Sequence, residues 1–155
     1  MKWWQVPLIV LIVVVALPVI LLVFAVRALF SATLLIVIWI LWCARGRDVL
    51  FVSSESPVWG PYIAENLLPR LGQRAVILNW SERKKWRFSL ARTAFYHFGG
   101  QREFNPMGVV FRPFRRARIF RFWGAFRDWK HGDPRALRDV ERDFLEAAGI
   151  QRPSA

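Results

Sequence analysis

Residues 48–82 read DVLFVSSESPVWGPYIAENLLPRLGQRAVILNWSE, and their pattern decides the fold class of the chain. Residues 48–52 form a short apolar, β-branched run that ends in a turn rich in Ser and Pro, which is typical of a buried strand. Residues 59–71 carry apolar side chains at helical spacing before Gly72, and residues 75–78 form a second apolar run. A strand, a helix and a strand at this spacing predict a right-handed βαβ unit with parallel pairing.

Further elements follow this unit. Residues 81–98 predict a helix with Ser81 as its N-cap, and residues 107–111 predict a third strand. The apolar side chains of residues 119–129 fall on one face of a helix, although Phe120 does not fit and the segment can also begin as a strand. Asp133 then opens a last helix that ends near Gly149. The predicted fold class is α/β, with a short parallel sheet of about three strands and flanking helices.

Upstream of the sheet lies an almost uncharged segment. From residue 6 to residue 44 the only charged side chain is Arg27, which is typical of membrane-spanning sequence. As one straight helix this segment would reach about 58 Å, nearly twice the roughly 30 Å of a hydrocarbon core. Two spans near residues 6–26 and 28–44, joined by a turn near residues 27–31, fit better. The sequence therefore predicts a transmembrane helical hairpin (residues 1–44) followed by a basic α/β domain (residues 45–155).

The charges that flank the hairpin predict its orientation. Lys2, Arg45 and Arg47 would lie on one side of the membrane, whereas Arg27 would lie alone on the other. The positive-inside rule then places the domain in the cytoplasm, and the excess of Arg over Lys suggests a bacterial inner membrane. Two alternatives stay open. Residues 1–28 can be a cleaved signal peptide, or only the first segment spans and the domain faces the other compartment.

Polar residues follow both strands of the βαβ unit, at the edge where open parallel sheets bind ligands. Hydroxyls, an amide and carboxylates that converge there could hold a phosphorylated or nucleotide-like substrate, which is the hypothesis of a membrane-anchored enzyme. Turn and capping chemistry uses the same residue types and is the favoured interpretation. The weak catalytic candidates are Ser53, Ser54, Glu55, Asn79, Ser81 and Glu82.

Positive charge is concentrated in one part of the domain. Residues 83–130 contain thirteen Lys and Arg but two acidic residues, a net +11 in 48 residues. Basic residues interleaved with Trp and Phe suit an anionic lipid surface, where each contributes about 1 kcal/mol, and they also suit nucleic acid. The short link to the membrane favours lipid, because it holds the domain at the bilayer. The predicted anion- or lipid-binding residues are Arg83, Lys84, Lys85, Arg87, Arg112, Arg115, Arg116, Arg118 and Arg121.

Motifs for a cofactor or a metal are missing from the sequence. Cys43 lies in the apolar segment, His97 and His131 are far apart, and neither glycine-rich nucleotide motif occurs. We therefore expect no cofactor, no metal and a non-catalytic role, as an interfacial binding or assembly module for anionic lipid or an acidic partner. A protein partner or a second copy of the chain is a further expectation, and nucleic acid is the less favoured ligand.

Overall fold

The computed structural model describes residues 5–99 and 105–150, with side chains from residue 14 onward, and divides into two compact units, residues 1–34 and residues 35–155. The strands are β1 (Val49–Ser53), β2 (Ala75–Asn79), β3 (Met107–Val110) and β4 (Arg118–Arg121). The α-helices are α1 (Gln5–Leu41), α2 (Gly60–Tyr62), α3 (Leu68–Leu71), α4 (Leu90–Phe98), α5 (Trp123–Lys130) and α6 (Arg135–Ala148). The fold is therefore mixed α/β, as predicted.

Helix α1 is continuous, so the predicted hairpin is not found. It passes through residues 27–31 without a turn, because Arg-Ala-Leu-Phe-Ser contains neither the glycine nor the proline that a tight turn favours. The helix is long and apolar enough to cross a membrane, and only 6% of its most apolar stretch of 18 residues is buried. A core helix of a soluble protein would hide most of that stretch.

The sheet has four strands in the order β2-β1-β3-β4, where about three parallel strands were predicted. The parallel pairing of β1 and β2 is confirmed, with Val49 opposite Ala75 and Ser53 opposite Asn79. Strand β3 runs antiparallel to both β1 and β4, so the sheet is mixed. The short connection between β3 and β4 permits only antiparallel pairing, since a parallel pair needs a crossover of a dozen or more residues.

Strand β1 is buried on both faces and forms the centre of the domain. On one face, the ring of Phe51 contacts Phe122 and Phe144, in a core that α5, α6 and the helical segment 60–71 complete. Helix α4 packs against β1 and β2. Since successive side chains of a strand alternate between its faces, burial along the whole of β1 requires cover on both sides.

Two helical segments differ from their predicted form. Between α2 and α3 the chain makes a π-helical turn at Ile63–Leu67, and the helical segment continues through Pro69 to Leu71. The helix predicted from Ser81 begins at α4, where the Ser89 hydroxyl accepts the N–H of Arg92 at 3.2 Å. Trp80–Lys85 forms a 3-10 helix instead, capped by the side chain of Asn79. The sequence pattern identified a helical region but placed its beginning one loop too early.

Of the two interpretations of residues 119–129, the one that begins as a strand is confirmed: β4 takes the place of the first helical turn, and α5 begins at Trp123. Phe120, which did not fit the helical face, is buried from β4 and its ring contacts Phe144 at a centroid distance of 5.4 Å. The last helix is confirmed as α6. It ends at Gly149 in the left-handed conformation, and the carboxylate of Asp133 accepts the N–H of Arg135 at its beginning.

The last turns of α1 belong to the second unit, together with the sheet. Ile38 is fully buried there. The ring of Trp42 packs edge-on against Phe111 at a centroid distance of 6.0 Å, and the Cys43 thiol lies 3.6 Å from the Phe111 carbonyl oxygen. The C-terminal end of the apolar helix is therefore a structural part of the α/β domain.

Candidate functional site

The structure brings together three of the residues that follow β1 and β2. The Nδ2 of Asn79 donates to the carboxylate of Glu55 at 2.7 Å, and the backbone N–H of Glu55 donates to the Ser81 hydroxyl at 3.0 Å. The backbone N–H of Ser81 in turn donates to Oδ1 of Asn79 at 3.0 Å. These residues bond one another and the loop backbone, which is the capping chemistry expected of them.

The remaining candidates at this edge do not join that group. Ser53 ends β1 opposite Asn79, and the carbonyl of Ser54 accepts the N–H of Ser56 in the turn. Glu82 pairs with Lys85 at 3.1 Å on the exposed face of the 3-10 helix. Among the residues that the structure describes, no group of three His, Cys, Asp or Glu could hold a metal ion.

The basic segment 83–87 forms an exposed surface in which the tryptophans are structural. The ring of Trp86 packs against Trp80 and Phe95, and its indole N–H donates to the Asn79 carbonyl at 3.1 Å. The guanidinium of Arg83 lies 4.8 Å from the centre of the Trp80 ring. Lys84 and Arg87 are exposed. Both tryptophans are half-buried and pack against Phe95, which limits the ring surface they offer for base stacking.

A second basic segment forms the loop between β3 and β4, which we call the RPFRR loop (residues 112–116). At its tip Phe114 is 92% exposed and its backbone φ is 60°, a left-handed conformation that L side chains rarely adopt. Such a conformation costs about 1–2 kcal/mol for a residue with a Cβ. The Phe114 ring lies 5.6 Å from the ring of Trp39, near the end of α1. A strained backbone therefore holds a large apolar side chain out of the core and beside the apolar helix.

Arginines from the RPFRR loop and β4 line a cavity of about 210 Å³, which we call the arginine cavity. Helix α6 contributes Glu146 and Ala147 to its wall. None of its four guanidinium groups forms an ion pair within residues 5–99 and 105–150. Its arginines are Arg112, Arg115, Arg116 and Arg118. Arg121 does not line this cavity, because the odd spacing from Arg118 places its side chain on the other face of β4.

The other side of the same loop borders an apolar groove of about 680 Å³. Its walls come from the end of α1, the short helical turn after it, and the tip of the RPFRR loop. The lining residues are Ile36, Trp39, Ile40, Cys43, Ala44, Pro113 and Phe114. None of them is charged, so the groove offers an almost purely apolar surface next to a strongly basic one.

Two partly buried acidic residues, Asp48 and Glu141, pair with arginines outside the RPFRR loop. The carboxylate of Asp48 accepts hydrogen bonds from Nε and Nη2 of Arg74, and Nη2 also donates to the Ala148 carbonyl. The pairing with Asp48 raises the pKa of Arg74. Glu141 pairs with Arg70 at 2.8 Å and accepts the Tyr62 hydroxyl at 2.6 Å. Burial and this carboxylate together raise the pKa of Tyr62 to about 12. The domain thus pairs Arg70 and Arg74 with carboxylates, whereas the four arginines of the cavity share one acidic lining residue, Glu146.

Sequence reasoning identified the arginines of the cavity but not the groove beside them. Ile36, Ile40 and Ala44 lie inside a uniformly apolar run, where no residue differs in pattern from its neighbours. The one available signal was Pro-Phe between arginines at residues 112–116, since an exposed Phe in a basic turn has no obvious core to join.

Comparison with models of known protein families, with curated proteins and with solved structures finds no match for this chain. The RPFRR loop and the two surfaces beside it are therefore the basis for assigning a role.

Proposed function

We propose that this chain is a membrane-anchored protein whose RPFRR loop binds anionic lipid headgroups at the cytoplasmic face. Helix α1 is the anchor, and its exposed apolar side chains face lipid. A helix of 37 residues is about 55 Å long, so that about 20 residues fill a hydrocarbon core of about 30 Å and the rest of the helix extends beyond it. Arg45 and Arg47 follow the helix and the rest of the domain is strongly basic, which favours the cytoplasmic side for the domain.

The observation that supports this proposal most directly is the exposed ring of Phe114 beside Trp39. Ile36 and Ile40 are also exposed next to these rings, so this part of the second unit needs apolar cover that the domain itself does not supply. In a membrane-anchored chain the bilayer supplies it. Aromatic rings concentrate at the membrane–water interface, and arginines that flank them reach the headgroups.

Electrostatics favour the same arrangement. Arg112, Arg115 and Arg116 are exposed and unpaired among the described residues, and each basic residue near an anionic surface contributes about 1 kcal/mol. Nucleic acid is the weaker candidate, because the tryptophans of the other basic segment pack into the domain. An acidic protein is a competing ligand for the same arginines, and the experiment below separates it from lipid.

The depth of Phe114 relative to the bilayer tests this proposal. The full chain with Cys43→Ala and Phe114→Cys carries a nitroxide at residue 114 and is reconstituted in nanodiscs that contain anionic lipid. We expect the nitroxide to collide more often with dissolved oxygen than with a water-soluble nickel complex, as a label below the phosphate level does. The matched control is Glu65→Cys, an exposed site in the segment 60–71, which should remain in water.

A label at residue 114 that is as accessible to the nickel complex as the label at residue 65 would contradict the proposal. Replacement of the anionic lipid by a zwitterionic one should make the label at residue 114 shallower, because the arginines lose their counter-charge. A loop that binds an acidic protein would show neither the depth nor this dependence on lipid charge.

A further inference from the structure

We infer that the arginine cavity and the apolar groove together form a site for one lipid molecule whose headgroup ends in a phosphate monoester. This inference rests on the proposed function and adds to it a defined ligand and a stoichiometry of one lipid per chain. The headgroup phosphate occupies the arginine cavity, and one acyl chain of the same molecule lies in the groove.

The RPFRR loop divides these two surfaces and lines both of them. Arg112, Arg115 and Arg116 line the arginine cavity, whereas Pro113 and Phe114 line the groove. A ligand that bridges the loop must therefore be anionic at one end and apolar at the other. An amphiphile with a charged headgroup has this chemistry, and neither a free phosphate nor a hydrocarbon fills both surfaces.

The charge of the cavity selects the type of headgroup. Four guanidinium groups and the carboxylate of Glu146 give its lining a formal charge of +3. A phosphate monoester carries about −1.5 to −2 at pH 7, whereas a phosphodiester carries a single negative charge. Guanidinium groups bind phosphate oxygens in pairs, and a terminal phosphate presents three oxygens to them where a diester presents two. The cavity therefore matches a monoester better than a diester.

The groove supplies the apolar half of the site. Three of its lining residues, Ile36, Ile40 and Phe114, are large, apolar and exposed to solvent. The two isoleucines belong to α1 and extend its apolar surface into the groove. Transfer of each methylene group from water to an apolar surface is favourable by about 0.8 kcal/mol, so an acyl chain is more stable in the groove than in water. Inside a bilayer the gain over neighbouring lipid is small, and the arginine cavity accordingly determines which lipid is held.

The test counts lipids on the intact protein. The full chain is reconstituted in nanodiscs of phosphatidylcholine with either phosphatidic acid, a phosphate monoester, or phosphatidylglycerol, a diester, at matched total charge. Native mass spectrometry after release from the disc reports the lipids retained. We expect one phosphatidic acid per chain, and clearly less retention of phosphatidylglycerol. Arg115→Gln with Arg116→Gln should weaken retention about tenfold or more, as expected for loss of charge-assisted hydrogen bonds.

Matched variants make the result specific. Arg83→Gln with Arg87→Gln removes the same charge from the other basic segment and should leave the bound phosphatidic acid in place. Ala44→Phe fills the groove at an exposed position, and it should reduce retention while the arginines are intact. A melting temperature close to that of the original chain shows that each variant is folded.

Three results would overturn the inference: equal retention of the two anionic lipids, retention that both double variants reduce alike, or displacement of the lipid by millimolar inorganic phosphate. The first two indicate diffuse electrostatic attraction, and the third indicates a site for free phosphate. If residue 114 still lies at the membrane interface, only this inference fails. If residue 114 lies in water, the proposed function fails with it.

Discussion

Replacement of Gly108 by alanine should destabilise the α/β domain, because Gly108 lies directly under the ring of Phe144. A Cβ at position 108 would lie 2.7 Å from Cζ and 3.0 Å from Cδ2 of that ring, well inside van der Waals contact. Phe144 is fully buried and packs against Phe51, Phe120 and Phe122, so its ring has no free direction in which to move. Overpacking of this kind costs about 1–3 kcal/mol.

Gly124→Ala is the matched control. Gly124 lies in α5 and a Cβ there meets no atom within 4 Å, so alanine adds helix propensity of up to about 1 kcal/mol without a clash. Near-ultraviolet circular dichroism of the full chain in detergent follows the packing of the domain aromatics without the helical signal of α1. For a unit of this size each kcal/mol lowers the melting temperature by roughly 4 °C.

The two glycine variants should therefore move in opposite directions. Gly108→Ala should melt several degrees lower than the original chain, and Gly124→Ala should melt at the same temperature or higher. Phe144→Leu in the Gly108→Ala background should recover part of the loss, which gives a favourable coupling energy in a double-mutant cycle. Equal melting temperatures for Gly108→Ala and Gly124→Ala would show that Phe144 does not pack on β3 as described.

Three further predictions concern single side chains. Tyr62→Phe should destabilise the domain by about 1.5 kcal/mol through loss of the hydrogen bond to Glu141. Because the pKa of Tyr62 rises from 10.0 to about 12 on folding, its contribution is complete below pH 10 and is lost as the pH approaches 12. The urea midpoint of the original chain should fall between pH 10 and 12 through this contribution, and the midpoint of Tyr62→Phe should lack it. Hydrogen bonds from Arg135 lower the pKa of Asp133 from 3.8 to about 2, so its contribution is present above pH 3.8 and is lost as the pH falls toward 2. Asp133→Asn should make the melting temperature depend less steeply on pH between 3.8 and 2. A pH dependence equal to that of the original chain would contradict the role of Arg135. Phe114→Gly should be about 1 kcal/mol more stable to denaturant than Phe114→Ala, because only glycine relieves the left-handed backbone.

Much of the sheet could be predicted because its signals are local. The apolar runs of β1 and β2, the helical residues between them and the spacing of the unit together predict parallel pairing, which the structure confirms. The end of α6 at Gly149 is equally local. Strand direction is different, because it depends on where the connecting chain crosses the sheet. The antiparallel β3 was therefore missed.

The candidate site could be predicted only in part, for a related reason. Charge excess and aromatic content identified the arginines of residues 112–118 as a group. Arg118 and Arg121 lie on opposite faces because they are three residues apart on the strand β4. A helix would have placed both on one face, so the helical interpretation did not predict this difference. Ile36 and Ile40 line the groove together with a loop more than seventy residues later in the chain. Such long-range contacts leave no periodic trace in the sequence.

Burial of Ile38 in the second unit has a consequence for how the proposed membrane-anchored chain would be made. The end of α1 leaves the ribosome well before Phe111, since Cys43 and its Phe111 partner are 68 residues apart in the chain. In the proposed membrane-anchored chain, lipid would be the apolar surrounding of Ile38 and Trp42 during that interval. Once β3 is complete, the domain core would replace lipid around these side chains. On the proposed function, completion of the domain would set how far the helix stays immersed, and we expect a variant that folds poorly to leave the helix deeper in the membrane.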